Sequence, residues 1–351
     1  MKIRTFGRQT GLRVSELALG TGNFGTAWGH GAERDEARKI FDGYVEAGGS
    51  FIDTADTYQV GQSEELVGEF VAPNRDDFVI ATKYTMGVAM DAGFHATGNS
   101  RKNMIRSVEA SLRRLKTDYI DLYWAHLPDG VTPTEEIVRA FDDLTRSGKI
   151  LHAGLSNFPA WRVARADLLA ELRGWAPIAG IQIEYSLAER TPDRELLPMA
   201  EALGLGAALW SPLGGGFLTG KYRAGEKGRL QGLGALVHTE KSARETAILD
   251  AVLGVAEELG TTPTHVAVAW LLHKAARSTT SLVPILGPRT RAQLDATLGA
   301  TTVKLSEEQV ARLDAPSAVP LGVPHEQVAS TAPRVLGGQP DRFARSPLSV
   351  A

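Results

Sequence analysis

No cysteine occurs in the 351-residue chain. Disulfides, thiolate zinc sites and a cysteine nucleophile are therefore excluded together. An excess of either charge is missing too: 38 basic against 41 acidic residues leave a net charge of −3. Without surplus positive charge to release counterions, nucleic acid and the membrane surface are poor partners. No apolar run reaches the roughly 18 residues that a membrane-spanning helix needs. The opening MKIRTFGRQTG lacks the apolar stretch of a signal peptide, so a cytoplasmic protein is expected. The composition, 43% hydrophobic and 23% charged, is that of an ordinary globular protein.

Strand-like apolar runs alternate with amphipathic helical segments along most of the chain. ELALG, SFIDTA, DFVIATK, DYIDLYWAH, ILHAGLSN, IAGIQIEY, LGAALWSPL and SLVPILG read as strands. Between them, Ala37, Ile40, Phe41, Tyr44 and Val45 repeat at helical spacing, as do Met104, Ile105, Val108 and Leu112. Ser63 reads as a helix N-cap, Gly148 as a helix stop, and Pro198 as a kink or an extended start. A Gly-rich connection runs from about 216 to 241. Parallel neighbours need helical crossovers, and eight strand units favour a closed (β/α)8 TIM barrel over an open doubly wound sheet. A hairpin around Thr10-Gly11 precedes the barrel, which spans residues 1–315. The tail, 316–351, has no clear period and is expected as a loop on the barrel or as partly disordered.

Gly20-Thr21-Gly22-Asn23-Phe24-Gly25 spells G-x-G-x-x-G, the dinucleotide fingerprint. That motif works only where a helix begins at once, because the pyrophosphate rests on the helix N-terminus. Here the chain continues TAWGHGAERD before any helical period begins, and Asp53 lies further on than the expected acidic partner. The stretch is expected instead as a Gly-rich loop at the C-terminal end of the first barrel strand, where such barrels build active sites.

Residues at the other strand ends should converge on the same place: Asp53 and Tyr58, Lys83, His126, Ser156 and Asn157, Gln182, then Trp210, Ser211 and Pro212. A phenol is a weak acid, with an ordinary pKa of about 10. A neighbouring ammonium favours its ionised form, and a carboxylate would hold that ammonium in place. A histidine beside them would bond the same substrate oxygen. The set suits proton donation to a carbonyl that receives hydride. Phe24, Trp28, Tyr84 and Met86 are candidate substrate-pocket walls, and no metal site is expected. Asp53 and Asp56 form the one close carboxylate pair near these residues, too little to argue for a hydrolase.

At these residues the chain resembles the aldo-keto reductases, over about residues 2–310. FIDTADTYQVGQSEELVG, IATK and DYIDLYWAH are similar to the family's catalytic segments. GLSNF, IQIEYSL, WSPLGGGFLTGKY and LVPILGPRTRAQL resemble its cofactor-binding segments in the family's order. The region KYTMG to DYIDLYWAH looks closest to the bacterial and potassium-channel-β-subunit-like branch. The resemblance implies NADPH-dependent reduction of a small aldehyde or ketone without metal. By it, Tyr58 donates the proton, Lys83 lowers the Tyr58 pKa, Asp53 orients Lys83 and His126 polarises the carbonyl. Ser156, Asn157 and Gln182 would hold the nicotinamide carboxamide, and Trp210 would stack on its ring. Gly20, Thr21 and Gly22 would lie beside it. Ser211, Leu213, Gly215, Gly216 and Lys221 would line the pyrophosphate channel. Arg289, with Gly287 and Gln293, would take the 2′-phosphate, and Arg229 would be a second contact. At Ala296 and Thr297 the chain departs from the Glu-Asn pair the family often carries. The alternative reading is an NADP(H)-binding sensor with slow chemistry. Homo-oligomers and monomers fit the sequence equally.

Overall fold

The computed structural model describes residues 1–89, 91–223, 238–344, 346 and 348. Strands β1 (Ile3–Thr5) and β2 (Arg13–Ser15) pair as an antiparallel hairpin. Then β3 (Ala18–Gly20), β4 (Phe51–Asp53), β5 (Val79–Tyr84), β6 (Ile120–Ala125), β7 (Ile150–Ser156), β8 (Ile178–Glu184), β9 (Gly206–Trp210) and β10 (Leu282–Leu286) follow. These eight strands close into a parallel barrel in chain order, with β10 returning to β3. Helices α1 (Arg34–Glu46), α2 (Gln62–Val71), α3 (Arg101–Leu115), α4 (Thr134–Arg146), α5 (Ala160–Arg173) and α6 (Leu196–Leu203) fill the crossovers up to β9. Ala243–Glu258 and Pro263–Arg277 lie between β9 and β10. The TIM barrel and its leading hairpin are as the sequence predicts. Among the described residues no helix is long and apolar enough to cross a membrane.

The barrel strands are apolar on both faces because both are covered. Their outward residues pack with the helices into one cluster that includes Ile80, Tyr84, Tyr123, Met104 and Phe141. Their inward residues form a second, smaller cluster around Phe6, Phe51, Leu122, Trp124 and Val283. Phe6 comes from the hairpin and enters the barrel from the N-terminal end of the strands. Its ring lies edge-on to Phe51 and Trp124, at 5.9 and 6.2 Å between centroids. Gly180 and Gly206 make room for it: a Cβ on either would fall within 2.8 Å of the Phe6 ring.

Three sequence expectations need correcting. Ser63 is not a cap; it lies inside α2, where its hydroxyl bonds Thr54 and Thr21, and Gly61 takes the cap position. Pro198 causes no kink, because α6 starts at Leu196 and the first turn has no N–H partner to lose. The tail is not all loop. The helix Glu307–Ser317 runs past residue 315, and a further helix, His325–Val335, is tied to the barrel through His325 and Glu195.

Candidate active site

β4 and β5 run side by side and deliver Asp53 and Lys83 to the C-terminal mouth of the barrel. The chain then turns at Tyr58–Gly61 and carries the Tyr58 phenol back over them. Lys83 Nζ donates to Asp53 Oδ1 at 2.5 Å, to the Thr54 carbonyl at 2.8 Å and to the Tyr58 hydroxyl at 3.1 Å. Gln182, across the mouth on β8, donates to the other Asp53 oxygen at 2.7 Å. Lys83 is 0% exposed. Burial pulls its ammonium down, but Asp53 and Tyr58 outweigh that and hold it above the ordinary lysine value. Three oxygen acceptors at hydrogen-bond distance fit an ammonium, so the pair is ionic.

His126 follows β6 directly, and its ring lies edge-on to Tyr58 at 6.1 Å between centroids. Burial first, then Lys83, hold its pKa well below the ordinary histidine value. The imidazole is therefore neutral at physiological pH, able to donate one hydrogen bond without becoming a competing acid.

Ser156 and Asn157 end β7, and Trp210 ends β9. Asn157 joins them: its amide donates to the His126 carbonyl at 3.1 Å and to Ser156 Oγ at 3.0 Å, and it accepts from Trp210 Nε1 at 3.1 Å. Asn157 and Ser211 both sit at φ 58°, a left-handed conformation that costs an ordinary residue energy and recurs at functional sites. Beyond Trp210, the glycines 215 and 216 take positive φ, and Lys221 packs over Gly216. A carbonyl of this loop, that of Gly215, is held by the Tyr222 hydroxyl at 2.8 Å.

The first loop meets this group from the β3 side. Thr21 binds the Asp53 carbonyl, and a Cβ on Gly22 would sit 3.6 Å from the Tyr58 ring. No helix opens at Gly25: Phe24 and Gly25 instead bridge to Ala32, and α1 begins at Arg34. Asn23 donates to the carbonyls of Gly287 and Pro288, so this loop also fixes the chain leading to Arg289. Arg289 is bonded through its main-chain N–H to Gln293, and among the described residues no carboxylate pairs its guanidinium. Arg291, two residues on, is occupied by Glu46 and Asp295. Arg229 lies outside the described residues.

Two expected pocket walls are elsewhere. Tyr84 neighbours Lys83 on β5 and so faces the opposite side of the strand, where it stacks on Tyr123 at 5.3 Å. Phe24 is 0% exposed, packed against Phe70 under the first loop. Trp28 and Met86 are 39% and 42% exposed, and Trp28 stands edge-on to Tyr58 at 6.1 Å. Sequence reasoning passed over Gln59, Gln62 and Asn23. Gln59 bonds Gly22, Trp28 and His30, and Gln62 accepts from Thr26 and Ala27, so the Tyr58 segment pins the whole first loop. For the two glutamines the signal is a pair of amides flanking a tight turn, in YQVGQ.

The aldo/keto reductase family model matches residues 16–318. Norsolorinic acid reductase of Aspergillus flavus is 37% identical over 330 residues, covering 92% of this chain and 82% of the relative. The aryl-alcohol dehydrogenase [NADP(+)] of Phanerodontia chrysosporium is 36% identical, with 86% and 82% covered. An uncharacterized oxidoreductase of Bacillus subtilis, YrpG, is 37% identical, with 87% and 92% covered. A match of this extent, on a barrel that gathers Asp53, Tyr58, Lys83 and His126 at one mouth, has one reading: the chain belongs to the aldo/keto reductase family.

Proposed function

We propose that the protein reduces an aromatic aldehyde or ketone to the alcohol with NADPH, with Tyr58 as the proton donor. The observation that carries this is the Lys83 ammonium, 2.5 Å from Asp53 and 3.1 Å from the Tyr58 hydroxyl in a buried pocket. An ammonium at that distance stabilises the phenolate that remains once the proton has gone to the substrate oxygen. Neutral His126 hydrogen-bonds the same oxygen as negative charge develops on it. Asp53, fixed by Gln182, keeps Lys83 aimed at the phenol.

The donor set suits a dinucleotide phosphate. Gly215 and Gly216 offer a backbone without side chains, Lys221 lies beside them, and the Arg289 guanidinium has the fork geometry for a 2′-phosphate. Trp210 would flank the nicotinamide, and Ser156 and Asn157 its carboxamide. When bound, NADPH supplies hydride to the carbonyl carbon. The aromatic substrate class rests on the exposed Trp28, Met86 and Leu127 around the mouth, and on relatives named for aryl alcohols and norsolorinic acid.

The test is a carbonyl panel run with NADPH and NADH in parallel, on the wild type and Tyr58→Phe. We expect NADPH oxidation with aromatic aldehydes, and a kcat loss of about 100-fold or more in Tyr58→Phe with NADPH binding kept. Full turnover in Tyr58→Phe overturns the proton-donor assignment. Tight NADPH binding with no turnover across the panel would favour a sensor.

A further inference from the structure

One buried acid near the site is not used by this chemistry. Asp56 lies three residues after Asp53 and two before Tyr58, and it is 2% exposed. Its main-chain N–H donates to the carbonyl of Lys83 at 3.1 Å, so it is anchored to the strand that carries the ammonium. Its carboxyl lies near a polar cluster on the outer side of the barrel wall. Glu64 comes from α2, bonded to Thr82 at 2.6 Å and to Arg114 Nε at 2.6 Å. Arg114 comes from α3 and Tyr123 from the outer face of β6. Asp56 Oδ1, Arg114 Nη2 and the Tyr123 hydroxyl are all buried without a hydrogen-bond partner among the described residues. The charged and titratable groups around Asp56 are thus Glu64, Arg114, Tyr123 and Lys83, with Tyr58 on its own segment. Of the two cations there, Arg114 is bonded to Glu64 and Lys83 to Asp53.

We propose that Asp56 is a positioning residue that sets the acidity of Tyr58 electrostatically, through Lys83 and the segment they share. When Asp56 is ionised, a second negative charge joins Asp53 near the ammonium and disfavours the phenolate, so Tyr58 keeps its proton for carbonyl reduction. When Asp56 is neutral, the phenolate is easier to form, which favours the reverse reaction, where Tyr58 must accept a proton from the alcohol. The role of Tyr58 rests on the function proposed above; the electrostatic link to Asp56 does not. Burial first, then Glu64, push the Asp56 carboxyl up to about 7. The link therefore operates around neutral pH.

The test titrates Tyr58 itself. Tyrosinate absorbance is followed against pH in wild type and Asp56→Asn, each referenced to the same protein carrying Tyr58→Phe. The neutral amide should move the Tyr58 midpoint roughly 0.5–1 unit to lower pH, as expected for losing one nearby charge in a protein interior. Alcohol oxidation should follow, its pH profile moving the same way and its rate at pH 7 rising about 3–10-fold. An unchanged midpoint, or one moved to higher pH, overturns the proposal. If Asp56→Asn does not fold, 13C-tyrosine NMR on the unaltered protein decides. The Tyr58 Cζ resonance should show an inflection near pH 7, and a flat trace there overturns the link. A shifted midpoint in a protein inactive on every carbonyl would sink the reductase reading and leave this one standing.

Discussion

At the N-terminal end of the strands, Phe6 is wedged against Phe51 and Trp124 and fully excluded from water. At the C-terminal end, equally excluded, Lys83 lies against Asp53. Burial stabilises the first group directly, by about 25 cal/mol for each Å² of apolar surface removed from water. It penalises the second, since two ions must be desolvated and regain that cost only through excellent hydrogen bonds. A hydrophobic filling would serve the fold as well at either end. On the proposed function the ion pair is explained by what it does to Tyr58, and the barrel then separates a stabilising end from a reactive one.

The sharpest way to break this comparison is to remove the ammonium. Lys83→Met should lower kcat by about two to four orders of magnitude. It should also destabilise the fold by about 3–5 kcal/mol, because Asp53 is left buried without its counter-ion. Lys83→Met combined with Asp53→Leu should recover much of the stability in urea unfolding and none of the activity. A double variant as unstable as the single one would mean that the ion pair supports the fold after all.

Phe6→Ala tests the other end. It should cost about 3–5 kcal/mol in urea unfolding, while kcat/KM of the folded fraction at low temperature stays within a few-fold of wild type. A catalytic loss as large as that of Lys83→Met would show that the two ends are coupled.

How far this division was legible in the sequence follows from how local its signals are. The eight strands and the hairpin were readable because alternation and turn residues act over short stretches. Asp53, Lys83 and His126 can be placed at one mouth of the barrel from the sequence because each ends an apolar run. Tyr84 was misassigned because its nearness to Lys83 in the chain hides that neighbouring strand residues face opposite ways. Phe24 failed for a related reason: loop residues fold inward or outward according to contacts such as Phe70, which no local pattern encodes. Gln59, Gln62 and Asn23 bond groups up to 265 residues away in the chain, and such long-range partners leave little trace in one sequence. The helix His325–Val335 buries none of its residues, so its formation is not tied to a core contact that the sequence could announce.

Arg289 sharpens the comparison from a different side, as a residue whose guanidinium makes no ion pair among the described residues. With no carboxylate partner among the described residues, Arg289→Gln should leave thermal stability unchanged. It should weaken NADPH binding by about 10–100-fold, the worth of charge-assisted hydrogen bonds to a phosphate, and leave NADH binding as it was. Equal losses for both dinucleotides, read by fluorescence titration, would remove Arg289 from the 2′-phosphate site.

The smallest effect expected is in stability, from Asp56. Its folded pKa, about 7, lies above the ordinary aspartate value of about 3.9 in an unfolded chain. Between those values the folded protein keeps a proton that the unfolded chain has released. Stability therefore falls as pH rises through that window and stays lower above it. Asp56→Asn removes the titration but places an amide in the same buried cluster, which offsets part of the gain. The variant should raise the melting temperature by roughly 2–5 °C at pH 8, and by less at pH 5, where the wild-type carboxyl is mostly protonated. Calorimetry at the two pH values reads the difference directly. If the substitution helps equally at both, the carboxyl is not ionising in that window, and the strain at the reactive end lies in the Lys83–Asp53 pair alone.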